Sequence, residues 1–176
     1  MEKSNLTVVV VNGKPRSGKD TFCMYAADYC EINDVNTIIW STVDAEREAM
    51  ETLNLVYSPD SEKDRKFLSA FKKFLNNYYD LTMRDFINIT DVFQDGVLFV
   101  FSREWDEILR FSDYCKENNI DFLTLFLTSP NSKEFDNASD RDCDLEKELY
   151  DVIIENNGDK QELKKNAEHF CETQLF

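Results

Sequence analysis

The chain has 176 residues, 42% of them hydrophobic, which suffices for one compact domain with a sizeable core. A net charge of −15 makes a surface that repels nucleic-acid polymers and anionic membranes, yet leaves room for a mononucleotide in a local basic pocket. A single histidine and five cysteines without a C-x-x-C pair remove His-dependent triads and most zinc sites, and read as reduced thiols of a cytoplasmic protein without signal peptide or membrane span.

Strand-like and helix-like stretches alternate along the chain. "LTVVVV" (Leu6–Val11) is an unbroken apolar run, as a buried strand requires. A glycine-bearing turn follows, and a helix is predicted over Lys19–Glu31. "TIIWS" (Thr37–Ser41) is a second strand, and Ala45–Leu53 a second helix. Residues 42–94 then break the alternation with a long helical insertion. Within it, "EKDRKFLSAFKKFLNNYYD" (Glu62–Asp80) places Phe67, Phe71, Phe74 or Leu75, and Tyr78 at helical spacing, predicting an apolar face. Lys72 and Lys73 read as part of a solvated basic face. "VLFVF" (Val97–Phe101), a helix over Glu104–Glu117, "FLTLFL" (Phe122–Leu127), "DVII" (Asp151–Ile154) and a helix over Asp159–Thr173 complete the chain. The pattern predicts one α/β domain, a parallel five-stranded sheet flanked by helices.

The turn after the first strand is the chemically specific stretch. "VNGKPRSGKDT" (Val11–Thr21) contains G-x-x-x-x-G-K, most of a phosphate-binding loop. Gly13 and Gly18 let the backbone turn its amides inward onto phosphate oxygens, and Lys19 brings a cation. The strand before it and the helix after it are the context this motif needs. The pattern wants a hydroxyl after the lysine, but Asp20 stands there, with Thr21 next. A carboxylate beside polyphosphate calls for a compensating cation, so Asp20 is the candidate magnesium partner, through a bound water. Arg103 stands where the third strand ends, the edge at which open parallel sheets bind ligands. Arg65 stands at a helix start, where anions are favoured.

"GKPRSGKDT" after a valine strand resembles the loop of phage deoxynucleoside monophosphate kinases and of animal-type phosphomevalonate kinases, which carry an acidic residue after the loop lysine. "STVDAERE" (Ser41–Glu48), "EKDRKFLSAFK" (Glu62–Lys72), "SREWDEI" (Ser102–Ile108) and "YDVIIENNGDKQEL" (Tyr150–Leu163) are similar, in order, to segments of adenylate-kinase-like P-loop proteins of bacteria and phages. The resemblance implies the P-loop nucleoside triphosphate hydrolase fold of the nucleoside monophosphate kinase type. It also implies ATP and Mg2+ as cofactors and a nucleoside or deoxynucleoside 5′-monophosphate as acceptor. It assigns Gly13, Arg16, Ser17, Gly18, Lys19, Asp20 and Thr21 to the donor phosphates, and Asn157 and Gly158 to the border of the donor base. Asp44, Arg47 and Arg65 fall to the acceptor, and Arg103 and Arg141 join Lys19 as catalytic cations, Arg141 from a small lid over 128–149.

The sequence departs from that pattern after the fourth strand, where Thr128 and Ser129 stand in place of the arginine that active relatives carry. A thin lid bears on turnover more than on binding, because a well-placed arginine contributes ~10³–10⁵ in rate to phosphoryl transfer. Two other readings therefore stay open: a nucleotide-binding module with little turnover that regulates a partner, and a small-metabolite kinase with a different phosphorylated acceptor.

Overall fold

A computed structural model describes residues 4–132 and 149–176 of the chain. The chain divides into two compact units: one formed by residues up to Trp40 and from Phe93 onward, the other by Ser41–Val92.

The first unit is built on β1 (Asn5–Asn12), which the chain leaves through a tight loop into α1 (Lys19–Ile32). It continues through β2 (Thr37–Ser41) and, beyond the second unit, β3 (Asp95–Phe101), α5 (Trp105–Asn118), β4 (Asp121–Thr128), β5 (Val152–Glu155) and α6 (Lys160–Phe170). The five strands lie in the order β2-β3-β1-β4-β5. β1 runs parallel to both β3 and β4, with Val11 opposite Phe101 and Leu125. β4 runs parallel to β5. The three central strands are the most apolar, interrupted only by Thr7 in β1 and Thr124 in β4, and burial on both faces is what such runs require.

Side chains alternate across the sheet. Val9, Val11, Val97, Phe99, Leu125 and Leu127 face one cluster with Phe22 and Ala26 of α1 and Leu163, Ala167 and Phe170 of α6. Val8, Val10, Leu98, Val100 and Phe126 point the other way, the side on which α5 buries Ile108, Phe111 and Cys115.

Two boundaries shift for local reasons. Asp151, expected to start β5, instead accepts hydrogen bonds from the Thr124 amide at 2.8 Å and the Thr124 hydroxyl at 2.7 Å, clamping β5 to β4. Asp159, expected inside the last helix, is its N-cap and accepts from the amides of Gln161 at 2.8 Å and Glu162 at 3.0 Å. That helix ends in a π turn over Cys171–Leu175.

The second unit holds α2 (Asp44–Thr52), α3 (Glu62–Tyr79) and α4 (Leu81–Val92). Asp80, at φ 49°, separates α3 from α4, and the Thr82 amide donates to Asn76 Oδ1 at 2.9 Å. The expected apolar face of α3 is turned largely outward: Phe67, Phe74 and Tyr78 are exposed and Phe71 and Leu75 half-buried, while Leu68 and Lys72 are buried. The rings cover one another along the helix, Phe67 on Phe71 at 6.0 Å between centroids and Phe74 on Tyr78 at 4.9 Å. Lys73 is exposed as a solvated lysine should be, but Lys72 is not.

Candidate functional site

The loop between β1 and α1 is shaped residue by residue. The Ser17 amide donates to the Lys14 carbonyl at 3.0 Å, closing a four-residue turn with Pro15 and Arg16 at its centre. Proline presets the first central position, and Arg16 at φ 64° supplies the positive φ of a type II turn. Gly13 sits at φ 151°, where a Cβ would strike the Leu127 carbonyl of β4 and lie 2.8 Å from Ser17 Oγ. Gly18, at φ 96°, ends the loop, and its carbonyl accepts the Phe22 amide at 2.9 Å as α1 begins.

Ser17 is 0% exposed, and among the described residues its hydroxyl has no hydrogen-bond partner. An unpaired buried hydroxyl costs free energy, about 1–3 kcal/mol. It lies against Gly13, whose lack of a side chain lets the loop backbone pass close to the Leu127 carbonyl and to Ser17. The donor set therefore fits an anionic, oxygen-rich ligand.

Lys19 is buried, with Nζ 3.6 Å from Asp20 Oδ2 and 6.0 Å from the centroid of the Phe101 ring on β3. Asp20 itself is exposed, and Thr21 is half-buried on the first turn of α1. The charges are felt inside the helix: burial raises the Cys23 thiol above its ordinary range, the Asp20 carboxylate adds to the rise and the Lys19 ammonium opposes it.

Two asparagines that the sequence did not single out brace the loop. Asn12, at the end of β1, accepts the Gly13 amide at 2.7 Å and donates to Tyr150 Oη at 2.6 Å. Tyr150 is wedged between Trp105, at 5.3 Å, and Phe126, at 5.1 Å. Asn156, just past β5, donates through its amide side chain to the Ser17 carbonyl at 2.9 Å, while its backbone N–H donates to the Thr128 carbonyl at 2.8 Å. It lies so close that a Cβ on Gly18 would be 2.5 Å from Asn156 Nδ2.

The expected base-border residues Asn157 and Gly158 are exposed, and Asn157 Nδ2 donates to Glu155 Oε2 at 3.0 Å. Arg103 is half-buried two residues beyond β3, on the same strand edge as the loop. The turn that presents it is anchored by Ser102 Oγ donating to Glu107 Oε2 at 3.1 Å. Arg141 lies outside the described residues, as does most of the lid over 128–149.

The other expected residues belong to the second unit. Asp44 accepts the Ser41 amide at 2.8 Å through Oδ2 and faces Arg47 NH1 at 3.3 Å through Oδ1. The Arg47 guanidinium stands 5.9 Å from the Tyr57 ring centroid. Arg65, in the first turns of α3, is half-buried, and its amide donates to the carbonyl of the N-cap Ser61 at 3.0 Å. Among the described residues no cluster of His, Cys, Asp or Glu could by itself hold a metal ion. Nor is any helix among them long and apolar enough to cross a membrane.

No protein-family model matches the sequence, and no curated protein matches it. Solved structures do match its shape. The Mycobacterium tuberculosis APS kinase CysC in complex with AMPPNP and APS superposes with a TM-score of 0.56 at 13% identity, covering 98% of this chain and 100% of that one. A cysteine-to-alanine mutant of the same kinase gives 0.54 at 14% identity with the same coverage. The protein APE1195 gives 0.55 at 12% identity, with 99% of each chain covered. The fold is thus a parallel five-stranded sheet flanked by helices, shared along the whole chain with an APS kinase.

Proposed function

We propose that the protein is an ATP-dependent phosphotransferase of the P-loop kinase type, acting on a nucleoside or deoxynucleoside 5′-monophosphate. The observation that carries the donor side is the loop itself. It combines a buried, unpartnered Ser17 hydroxyl, a tight turn that only glycine at position 13 permits and a buried Lys19 cation at the carboxyl edge of a parallel sheet. Bound ATP, as its magnesium complex, supplies the phosphoryl group. Gly13, Arg16, Ser17, Gly18, Lys19 and Thr21 bind its phosphates, Asp20 would hold the magnesium ion through water, and Asn157 and Gly158 border the base. Arg103 and Arg141 neutralise charge as it develops, the largest service a protein renders in this chemistry. Asp44, Arg47 and Arg65 bind the acceptor.

A small-metabolite kinase is the second reading, favoured by the whole-chain likeness to a kinase solved with AMPPNP and APS. A module that binds nucleotide with little turnover is the third, favoured by Thr128 and Ser129 in place of an arginine.

An ADP-release screen with Mg-ATP against every ribo- and deoxyribonucleoside monophosphate, and against APS, separates the three. Turnover on one or two monophosphates selects the first reading, and turnover on APS alone the second. ATP binding without turnover selects the third. Lys19→Ala serves as control: nucleotide affinity or turnover falls at least tenfold, about 1.4 kcal/mol, with little change in thermal stability. Unaltered ATP binding and turnover in that variant would remove the loop from the site.

A further inference from the structure

The second unit buries a lysine. Lys72 is 4% exposed, a state that lysines reach almost only when paired. Its Nζ donates to Thr42 Oγ1 at 3.1 Å. Glu46 is buried too, at 1% exposure. A carboxylate withdrawn from water demands positive charge, and Lys72 is the one buried cation of this unit among the described residues. The helices that carry the two residues, α2 and α3, pack against each other.

Thr42 and Glu46 bracket Asp44, the residue that holds the Ser41 amide and faces Arg47. Arg65 precedes Lys72 by seven residues, almost two full helical turns. It therefore projects from nearly the same face of α3, about 10 Å along the axis. Leu68, buried at 5% exposure, lies between them on that stripe. Asp44 and Arg47 thus stand on one helix and Arg65 on its neighbour, with the bond from Lys72 tying α3 to the turn that leads into α2.

We propose that Lys72 is a positioning residue. Its ammonium, held by Thr42 and balancing Glu46, locks the start of α2 against α3 and so fixes Asp44 and Arg47 relative to Arg65. The lock stands on the geometry of this unit alone; its service to an acceptor phosphate rests on the proposed function. A buried charge contributes little net stability compared with a well-packed apolar pair, but it specifies one arrangement. An apolar contact between α2 and α3 tolerates sliding; an ammonium aimed at one hydroxyl does not. Binding a phosphate between residues of two helices needs that fixed arrangement, since misplacement by about 1 Å costs ~10²-fold in rate.

The test uses the full chain with Lys72→Met, which keeps the stem and removes the charge. Thr42→Val, which removes only the accepting oxygen, serves as the second variant, and carries the test if the first does not fold. Native-state hydrogen exchange is read at Arg47–Met50, where the Arg47 amide bonds to the Val43 carbonyl at 3.1 Å, and at Phe22 of α1. Exchange at Arg47–Met50 accelerates at least tenfold, while that at Phe22 is unchanged. In steady state, the KM for the monophosphate selected by the screen rises at least tenfold, with the KM for ATP constant within twofold. Unchanged exchange in both variants overturns the lock. Acceleration at Phe22 as large as at Arg47 overturns it too, because that reports global destabilisation. A local loosening that leaves the monophosphate KM unmoved overturns the positioning role. Local loosening in a protein whose wild type turns over no acceptor upholds the lock and sinks the acceptor reading instead.

Discussion

Arg16 keeps a left-handed backbone at φ 64°, a conformation that costs an ordinary residue ~1–2 kcal/mol. Such outliers persist where function holds them. Arg16→Gly relieves that strain, and the larger backbone entropy of glycine in the unfolded chain offsets ~0.5–1 kcal/mol of the gain. The variant should therefore denature in urea at the same concentration as wild type or higher. ATP affinity should nevertheless fall at least tenfold, because the guanidinium is gone. Undiminished affinity would leave Arg16 as a turn residue only. Asp20 is in reach of the Lys19 ammonium, at 3.6 Å, and so competes with phosphate for the same cation. Without metal, Asp20→Ala removes that competitor for Lys19 and a repulsion worth ~4 kcal/mol per charge pair at 4 Å in a surface-like dielectric. Calorimetry should show ATP binding equal or tighter in EDTA, and weaker with magnesium. A change that is identical in the two buffers excludes Asp20 from the metal site.

At the scale of elements, the loop depends on a segment that is distant in sequence. Asn156 donates to the Ser17 carbonyl from 139 residues away, fastening the exit of β5 to the loop that follows β1. Asn156→Ala orphans that carbonyl, and a buried unsatisfied group costs ~1–3 kcal/mol. Urea denaturation should show a loss of that size, together with weaker ATP binding. Asn157→Ala, on the exposed neighbour, should move stability by less than ~0.5 kcal/mol, so any fall in ATP affinity there reports the base. The sequence showed β1, β3 and β4 readily, because runs of three or more consecutive apolar residues between turn signals have few other places to go. It showed the loop because glycines at fixed spacing before a lysine are rare. It did not show Asn12 or Asn156, since a hydrogen bond across the fold leaves no periodic trace. The orientation of α3 was hidden for a related reason. Spacing identifies the aromatic stripe but does not say which way it turns, and only packing put Leu68 and Lys72 inside. α4 was missed because "LTMRDFINITDV" follows Asp80 without a break in polarity, and has no glycine or proline to mark its start.

Over the whole molecule, the phosphate loop is tied to the core through α1. Cys23 and Cys30 of that helix lie in one apolar cluster with Val9, Val11 and Cys171, and Cys115 is buried beneath α5 on the other face of the sheet. Burial pushes the Cys115 thiol up to about 12 and raises Cys23, while Cys171 is raised first by its hydrogen bond with Cys30 and then by burial. A thiol kept neutral in the fold but free to ionise in the unfolded chain, near its ordinary 9, contributes stability that is whole below that pH. The contribution is lost as pH rises toward the folded value, by up to ~1.4 kcal/mol per pH unit for each thiol. All four described thiols are closed to reagents by burial, and at pH 8 Cys23, Cys115 and Cys171 by protonation too, although the bond to Cys171 draws Cys30 downward, so labelling must follow an opening of the core. Cys143 lies outside the described residues, so the experiment uses Cys143→Ser and follows the modification of the other four. A ligand that binds only the closed state slows opening by mass action, as 1 + [L]/Kd. Mg-ATP at a hundred times its Kd should slow labelling about a hundredfold, equivalent to ~2.7 kcal/mol, and Lys19→Ala should abolish the protection. If the core opens as one body, Cys115 is protected as strongly as Cys23. Protection of Cys23 alone would mean that α1 opens locally, and equal labelling rates with and without Mg-ATP would separate the loop from nucleotide binding altogether.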